Sequence, residues 1–145
     1  METTYQDFEI SADPARLDLV AVHDYLCNRS YWAKGIPFDV FRRSVEGALC
    51  FGVYSSDEQV GFARVISDCA TIAYIGDVFI LEDYRGLGLS KRLMEAILSD
   101  ARLQGLRRWI LATADAHGLY AQFGFTPLAK PERWMELHNP QAYVP

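Results

Sequence analysis

The chain has 145 residues, half of them apolar, 23% charged and 13% aromatic, with a formal net charge of −5. That mixture predicts one globular domain over 1–145 that buries its own core, and the acidic balance argues against general nucleic-acid binding. Cys27, Cys50 and Cys69 are odd in number with no C-x-x-C pair, and His23, His117 and His138 are scattered, so neither a disulfide framework nor a metal site is expected.

Met1-Glu2-Thr3-Thr4-Tyr5 lacks the basic and apolar stretches of a secretory signal, and no apolar run approaches the ~20 residues of a membrane span. The expected location is cytoplasmic, with no membrane partner. Asp13-Pro14 reads as an N-cap with proline at the first helical position, and Leu19, Val22 and Leu26 continue a helix over 14–27. Asn28 to Gly35 reads as a loop. A short helix starts at Pro37, shares Phe38, Phe41 and Val45 on one face, and stops at Gly47. The period then becomes two. Leu49, Phe51 and Val53 mark a strand, residues 55–59 a turn, and Val60, Phe62, Val65 and Ile66 the returning strand. Residues 72–81 are nearly all apolar and β-prone, as in a central strand, with Asp77 standing out. Leu89, Leu93, Ala96, Ile97 and Ala101 trace a helix closed by Gly105, and Arg107 to Thr113 form another strand. Asp115 can cap a short helix that ends at Gly124, and from Phe125 onward one or two last strands are expected. The result is an α/β (α+β) domain with the order β-α-α-β-β-β-α-β-α-β.

Arg85-Gly86-Leu87-Gly88 lies between the best strand and the best helix. Glycines there let the backbone approach a ligand, and the unpaired amides of the helix start favour an anion. Arg85, Lys91 and Arg92 crowd an end where the helix dipole disfavours cations by roughly 0.3–1 kcal/mol each, a penalty that a polyanion would reverse. A tight strand-to-helix turn with solvated basic neighbours fits the same residues. A P-loop is excluded because one residue separates the glycines, and a dinucleotide fingerprint because Lys91 stands where the third glycine belongs.

The stretch from Asp77 to Ser90, with Arg85-Gly-Leu-Gly88-Leu-Ser90 in the [QR]-x-x-G-x-[GA] place, resembles the signature of the GNAT superfamily of acyl-CoA N-acyltransferases. The downstream block Ala116-His-Gly-Leu-Tyr120-Ala-Gln-Phe-Gly124-Phe125 resembles the second family landmark, in the same order and spacing. The likeness is close over roughly 49–128. Three positions depart from the pattern. Ser90 replaces a final Gly or Ala, Glu82 stands where proline is common, and Thr113 stands where an asparagine often contacts the pantetheine arm.

The resemblance implies a mixed, mostly antiparallel, twisted sheet flanked by helices, and an acetyl-CoA-dependent N-acetyltransferase acting by direct attack of a primary amine. It implies cofactor contacts from the backbone of Val78, Phe79 and Ile80, from the turn Arg85, Gly86, Leu87, Gly88, Leu89, Ser90 and Lys91, and from Thr113. The Ile80 amide would meet the thioester oxygen. Tyr120 would be the general acid and Asp77 a candidate base. Core packing for Tyr120 and backbone capping for Asp77 are the competing readings. Tyr31, Trp32, Arg64 and His117 are candidate acceptor contacts, the aromatic pair by cation–π attraction. The acceptor is a small-molecule or peptide amine, and a homodimer is compatible with the sequence. A non-catalytic acyl-CoA-binding or sensing protein on the same scaffold is the alternative.

Overall fold

Residues 7–144 are described by the computed structural model of the chain; the reading of Met1–Tyr5 falls outside them. Five strands, β1 (Phe8–Ser11), β2 (Leu49–Ser55), β3 (Glu58–Ser67), β4 (Ile72–Ile80) and β5 (Arg108–Leu111), form one sheet in the order β1-β2-β3-β4-β5. The first three pairings are antiparallel, and β4 with β5 is parallel. The sheet is therefore mixed and mostly antiparallel, as the resemblance implies. Helices α1 (Leu19–Arg29) and α2 (Phe38–Glu46) cover one face and α3 (Leu89–Ser99) the other, while α4 (His117–Ala121) follows β5.

Strand alternation divides the core between those faces. In β3, Phe62 packs with Val22, Leu26, Phe41 and Phe79 beneath α1 and α2, while Ala63 and Val65 join Leu93, Met94 and Ile97 beneath α3. The helical stripe of α3 supplies Leu89, Leu93, Met94 and Ile97, all at most 2% exposed, and each such side chain contributes ~1.5–3 kcal/mol by burial. No helix of the described residues is long and apolar enough to cross a membrane.

Four expectations are corrected. The first helix does not run from Pro14. Asp13 caps only a 3-10 turn, Pro14–Arg16, and Asp18 starts α1 by accepting the Ala21 amide at 3.1 Å. The Asp18 amide is drawn to the Gln59 side chain at 2.8 Å, a contact 41 residues away in sequence. Helix α3 ends before Ala101 because Asp100 caps a new 3-10 turn at Ala101–Leu103. The cap expected of Asp115 is absent: α4 starts after Ala116 with no side-chain cap, and Thr113 Oγ1 accepts the Ala116 amide at 3.0 Å in the loop before it. The strands expected after Phe125 are absent among the described residues, which hold only the 3-10 turn Pro131–Arg133 there. Pro127, Pro131 and Pro140 each remove a donor that a ladder would need.

The β3–β4 turn is held by one carboxylate. Asp68 accepts from the Ala70, Thr71 and Ile72 amides and from the Thr71 hydroxyl, and these bonds, the hydroxyl's first, hold its pKa well below the usual carboxylate range. A folded pKa below the unfolded one contributes stability at neutral pH that is lost on acidification. The Tm gap between the wild type and Asp68→Asn is accordingly expected to be full above the ordinary value of 3.8 and to shrink steadily below it. A gap independent of pH would refute this account.

Candidate active site

Two features of β4 open the sheet at one end. Between the pairs Phe62↔Phe79 and Arg64↔Gly76, Asp77 and Val78 together face the single residue Ala63. Asp77 takes φ of +55°, unusual for a residue with a side chain, and the strand bends there. Pairing with β5 stops at Ile75↔Leu111, although β4 continues to Ile80. Past that point the backbone of β4 has no strand on its β5 side, and a cavity of about 520 Å³ opens beside the gap.

Asp77 is committed at both oxygens. Its Oδ1 accepts the Trp32 indole N–H at 2.8 Å, and its Oδ2 accepts the Arg64 Nε–H at 2.7 Å. The Arg64–Asp77 pair is largely buried, with side chains 18% and 9% exposed, so each charge neutralises the other inside the cavity wall. Trp32 meets Tyr31 edge to face at 5.0 Å, and the Tyr31 hydroxyl accepts the Ala114 amide at 3.1 Å. The α1–α2 loop is thus tied to β4 through Trp32 and to the β5–α4 loop through Tyr31.

Tyr120 lines the same cavity from α4. Its ring is 7% exposed and lies 5.9 Å from Phe125, edge to face. Burial first, then the nearby Tyr31 and Asp115, push its hydroxyl above the ordinary phenol pKa of 10.0. The phenol therefore stays protonated throughout the neutral range.

The glycine turn follows β4. Gly86 and Gly88 have φ of +80° and +79°, and a Cβ on either would meet nothing within 4 Å. Gly88 is the N-cap of α3 and offers no side-chain cap. Among the described hydrogen bonds, none of the amides from Gly86 to Lys91 donates to a protein group. Six amides without an acceptor among the described hydrogen bonds, the N-terminal end of the α3 dipole and Lys91, which enters no ion pair among the described residues, lie together in this turn. The donor set suits a phosphate group.

The residues singled out in the sequence separate into groups. Tyr31, Trp32, Arg64, Asp77, Val78, Thr113 and Tyr120 meet around one cavity. Phe79, Ile80 and Leu89 send their side chains into the core, so only their backbone can meet a ligand. Leu87 belongs to the open turn and Ser90 to the first turn of α3. Arg85 is not a free cation at the turn. Its Nε donates to the Ile80 carbonyl at 2.9 Å and its Nη2 to the Tyr25 hydroxyl at 3.0 Å, bracing the turn against α1. Arg92 likewise turns away, to the Phe8 carbonyl. Glu82 pairs with Arg29 at 3.0 Å. His117 is exposed at the start of α4 and does not line the cavity. Sequence reasoning missed Tyr74, Asp115 and Tyr143, which do. Tyr74 was readable only as one apolar residue of a central strand, and Tyr143 reaches the cavity through a contact beside Gly35 that no local pattern announces.

The Acetyltransferase (GNAT) domain family matches residues 46–127. The chain belongs to the GNAT acetyltransferase family. A Gibberella zeae protein named an acetyltransferase is 33% identical to this GNAT chain over 141 residues, covering 82% of it and 78% of the relative. The crystal structure of a GNAT-family protein from Xanthomonas campestris pv. campestris is 48% identical, with a TM-score of 0.92 and coverage of 95% of this chain and 97% of that one. A GNAT-family acetyltransferase of Elizabethkingia anophelis, solved with acetyl-CoA bound, shares the fold at a TM-score of 0.62 and 13% identity, with coverage of 83% and 76%. The chain is an acyltransferase by this membership.

Proposed function

We propose that this acyltransferase moves the acetyl group of acetyl-CoA to a primary amine by direct attack, with the amine held in the Tyr31–Trp32 cavity. The observation that carries the reading is the continuity of three parts. An uncapped amide-rich turn leads back along the unpaired edge of β4 to a cavity lined by a buried, protonated tyrosine. Bound acetyl-CoA supplies an activated carbonyl and a thiol leaving group. The amides from Gly86 to Lys91 bind its phosphates, and the β5-facing backbone of Val78–Ile80, apart from the Ile80 carbonyl that already accepts from Arg85, orients its linear arm. Tyr120 donates its phenolic proton to the departing sulfur as the carbon–sulfur bond breaks; the proton that the new amide nitrogen sheds passes to solvent water, from which Tyr120 is reprotonated. Thr113 keeps a hydroxyl hydrogen for the arm while its oxygen accepts the Ala116 amide. The test is free-thiol release from acetyl-CoA with a panel of amines. No release with any amine, despite binding, would favour a sensor on this scaffold.

In this reading Asp77 is an anchor and not the base. Both of its oxygens already receive protein donors, and its role is to fix Trp32 and Arg64 around the acceptor. Asp77→Asn, which turns an amide NH₂ against one of those donors, is expected to raise KM for the amine about tenfold, the value of one charge-assisted hydrogen bond, and to change kcat little. The acidic limb of the kcat/KM profile stays in place. A displaced limb would return the base role to Asp77.

A further inference from the structure

We infer that the acceptor is an aliphatic diamine, with one nitrogen reacting near Tyr120 and the other staying protonated at the Asp115 carboxylate and the aromatic rings beside it. The inference rests on the acyl-transfer reading above and narrows its substrate. The nitrogen that attacks a thioester must be neutral. Holding it as an ammonium would stabilise the ground state and not the transition state. An unpaired anion in the acceptor cavity therefore suits a second cationic group, whose charge persists through the reaction.

The charged side chains that line the cavity are Arg64, Asp77 and Asp115. Arg64 and Asp77 neutralise each other at 2.7 Å. Asp115 enters no ion pair, and its carboxylate accepts no hydrogen bond, among the described residues. Helix α4 does not use it, since that helix starts after Ala116 with no side-chain cap. Burial first, then Tyr31 and Asp115, raise the Tyr120 phenol, so the Asp115 charge is felt inside the cavity. Among the described residues the lining thus carries one negative charge that no cation of the chain meets.

Aromatic rings share the cavity with that charge. Tyr31 is 62% exposed, Trp32 and Tyr74 40% each and Tyr143 36%, although all of them line a cavity. Two of these rings have their polar ends already taken. The Trp32 indole N–H donates to Asp77, and the Tyr31 hydroxyl accepts the amide of Ala114, the residue before Asp115. What they offer a ligand is ring surface, and the Tyr31 bond brings that surface next to the carboxylate. An alkylammonium gains from rings and carboxylate together. An aryl group would use only the rings, and a hydroxyl only the carboxylate. Asp115 and the rings stand open to solvent while Tyr120 is 7% exposed, so the two ends of one chain meet the outer and inner parts of the cavity.

The experiment measures kcat/KM by free-thiol release from acetyl-CoA, with putrescine and cadaverine against butylamine, pentylamine, phenethylamine and the amino alcohols of matching length. The diamines are expected to exceed the monoamines of equal length about tenfold, the combined value of an exposed ion pair and a cation–π contact. A diamine whose second nitrogen is trimethylated keeps its charge and should keep the advantage. Asp115→Asn strands no partner, and circular dichroism checks its fold; it should cut the diamine-to-monoamine ratio by about threefold or more. Salt gives a second readout on the wild type, because raising the ionic strength should lower the same ratio. Equal kcat/KM for diamines and monoamines, or a preference for phenethylamine or the amino alcohols, overturns the inference and leaves acyl transfer standing. So does a diamine preference undiminished by Asp115→Asn or by salt. No thiol release with any amine overturns both readings.

Discussion

Tyr120→Phe is expected to bind acetyl-CoA with unchanged affinity and to lose roughly 10²–10⁴-fold in kcat, the usual range for a positioned general acid. The substitution removes one oxygen and keeps the ring that packs against Phe125. The hydroxyl makes no hydrogen bond to the protein among the described residues, so its loss strands no partner and Tm should move little. What disappears is a proton source at the cavity wall. At ordinary pKa values a phenol near 10 protonating a thiolate near 8.5 works uphill by roughly 2 kcal/mol, and burial of Tyr120 adds to that slope. The same burial keeps the acid form intact, so any alkaline loss of wild-type activity caused by Tyr120 should lie above pH 10.0 and vanish in the variant. Stopped-flow turnover beside calorimetric CoA binding separates the two roles. Undiminished turnover would leave Tyr120 as a core aromatic only.

The parts of the site legible in the sequence are those whose chemistry is local. Gly86 and Gly88 were readable because a positive φ and an open approach are single-residue demands, and both are met. The α3 stripe and the β2–β3 hairpin follow from periodicity, and β4 from its continuous apolar, β-prone run. Arg85 shows where local reasoning stops. A cation beside a phosphate turn suggests an anion contact, but its partner Tyr25 lies 60 residues earlier and only the fold brings them together. Asp77, Arg64 and Trp32 each drew notice separately as an acid, a cation and an aromatic. Their union depends on a bulge that places two residues of β4 against one of β3, a matter of register that no alternation pattern encodes. The missing C-terminal strands are the reverse case. The alternation of Met135 and Leu137 is in the sequence, but alternation names a strand without naming its partner, and no partner lies within the described residues of this chain.

Gly88→Asp is expected to leave the fold as stable as the wild type and to abolish most of the affinity for acetyl-CoA. Aspartate tolerates the left-handed backbone better than other residues with a Cβ, and nothing lies within 4 Å of the Cβ it would add. At the N-cap of α3 its carboxylate can accept the amides of the first helical turn, a stabilisation of ~0.5–2 kcal/mol that offsets the left-handed strain of ~1–2 kcal/mol. Those amides are the donors that the phosphates would otherwise use, and the added negative charge also repels them. The loss should be at least 100-fold for acetyl-CoA, about 2.7 kcal/mol, while a phosphate-free acetyl-pantetheine analogue binds wild type and variant alike. Gly88→Ala controls for the backbone: it carries the strain but no charge, and should lower Tm while retaining more of the affinity than the aspartate does. If acetyl-CoA bound the aspartate variant as tightly as the wild type, the phosphates would not be held by the start of α3, and the bent backbone after β4 would be a turn and nothing more.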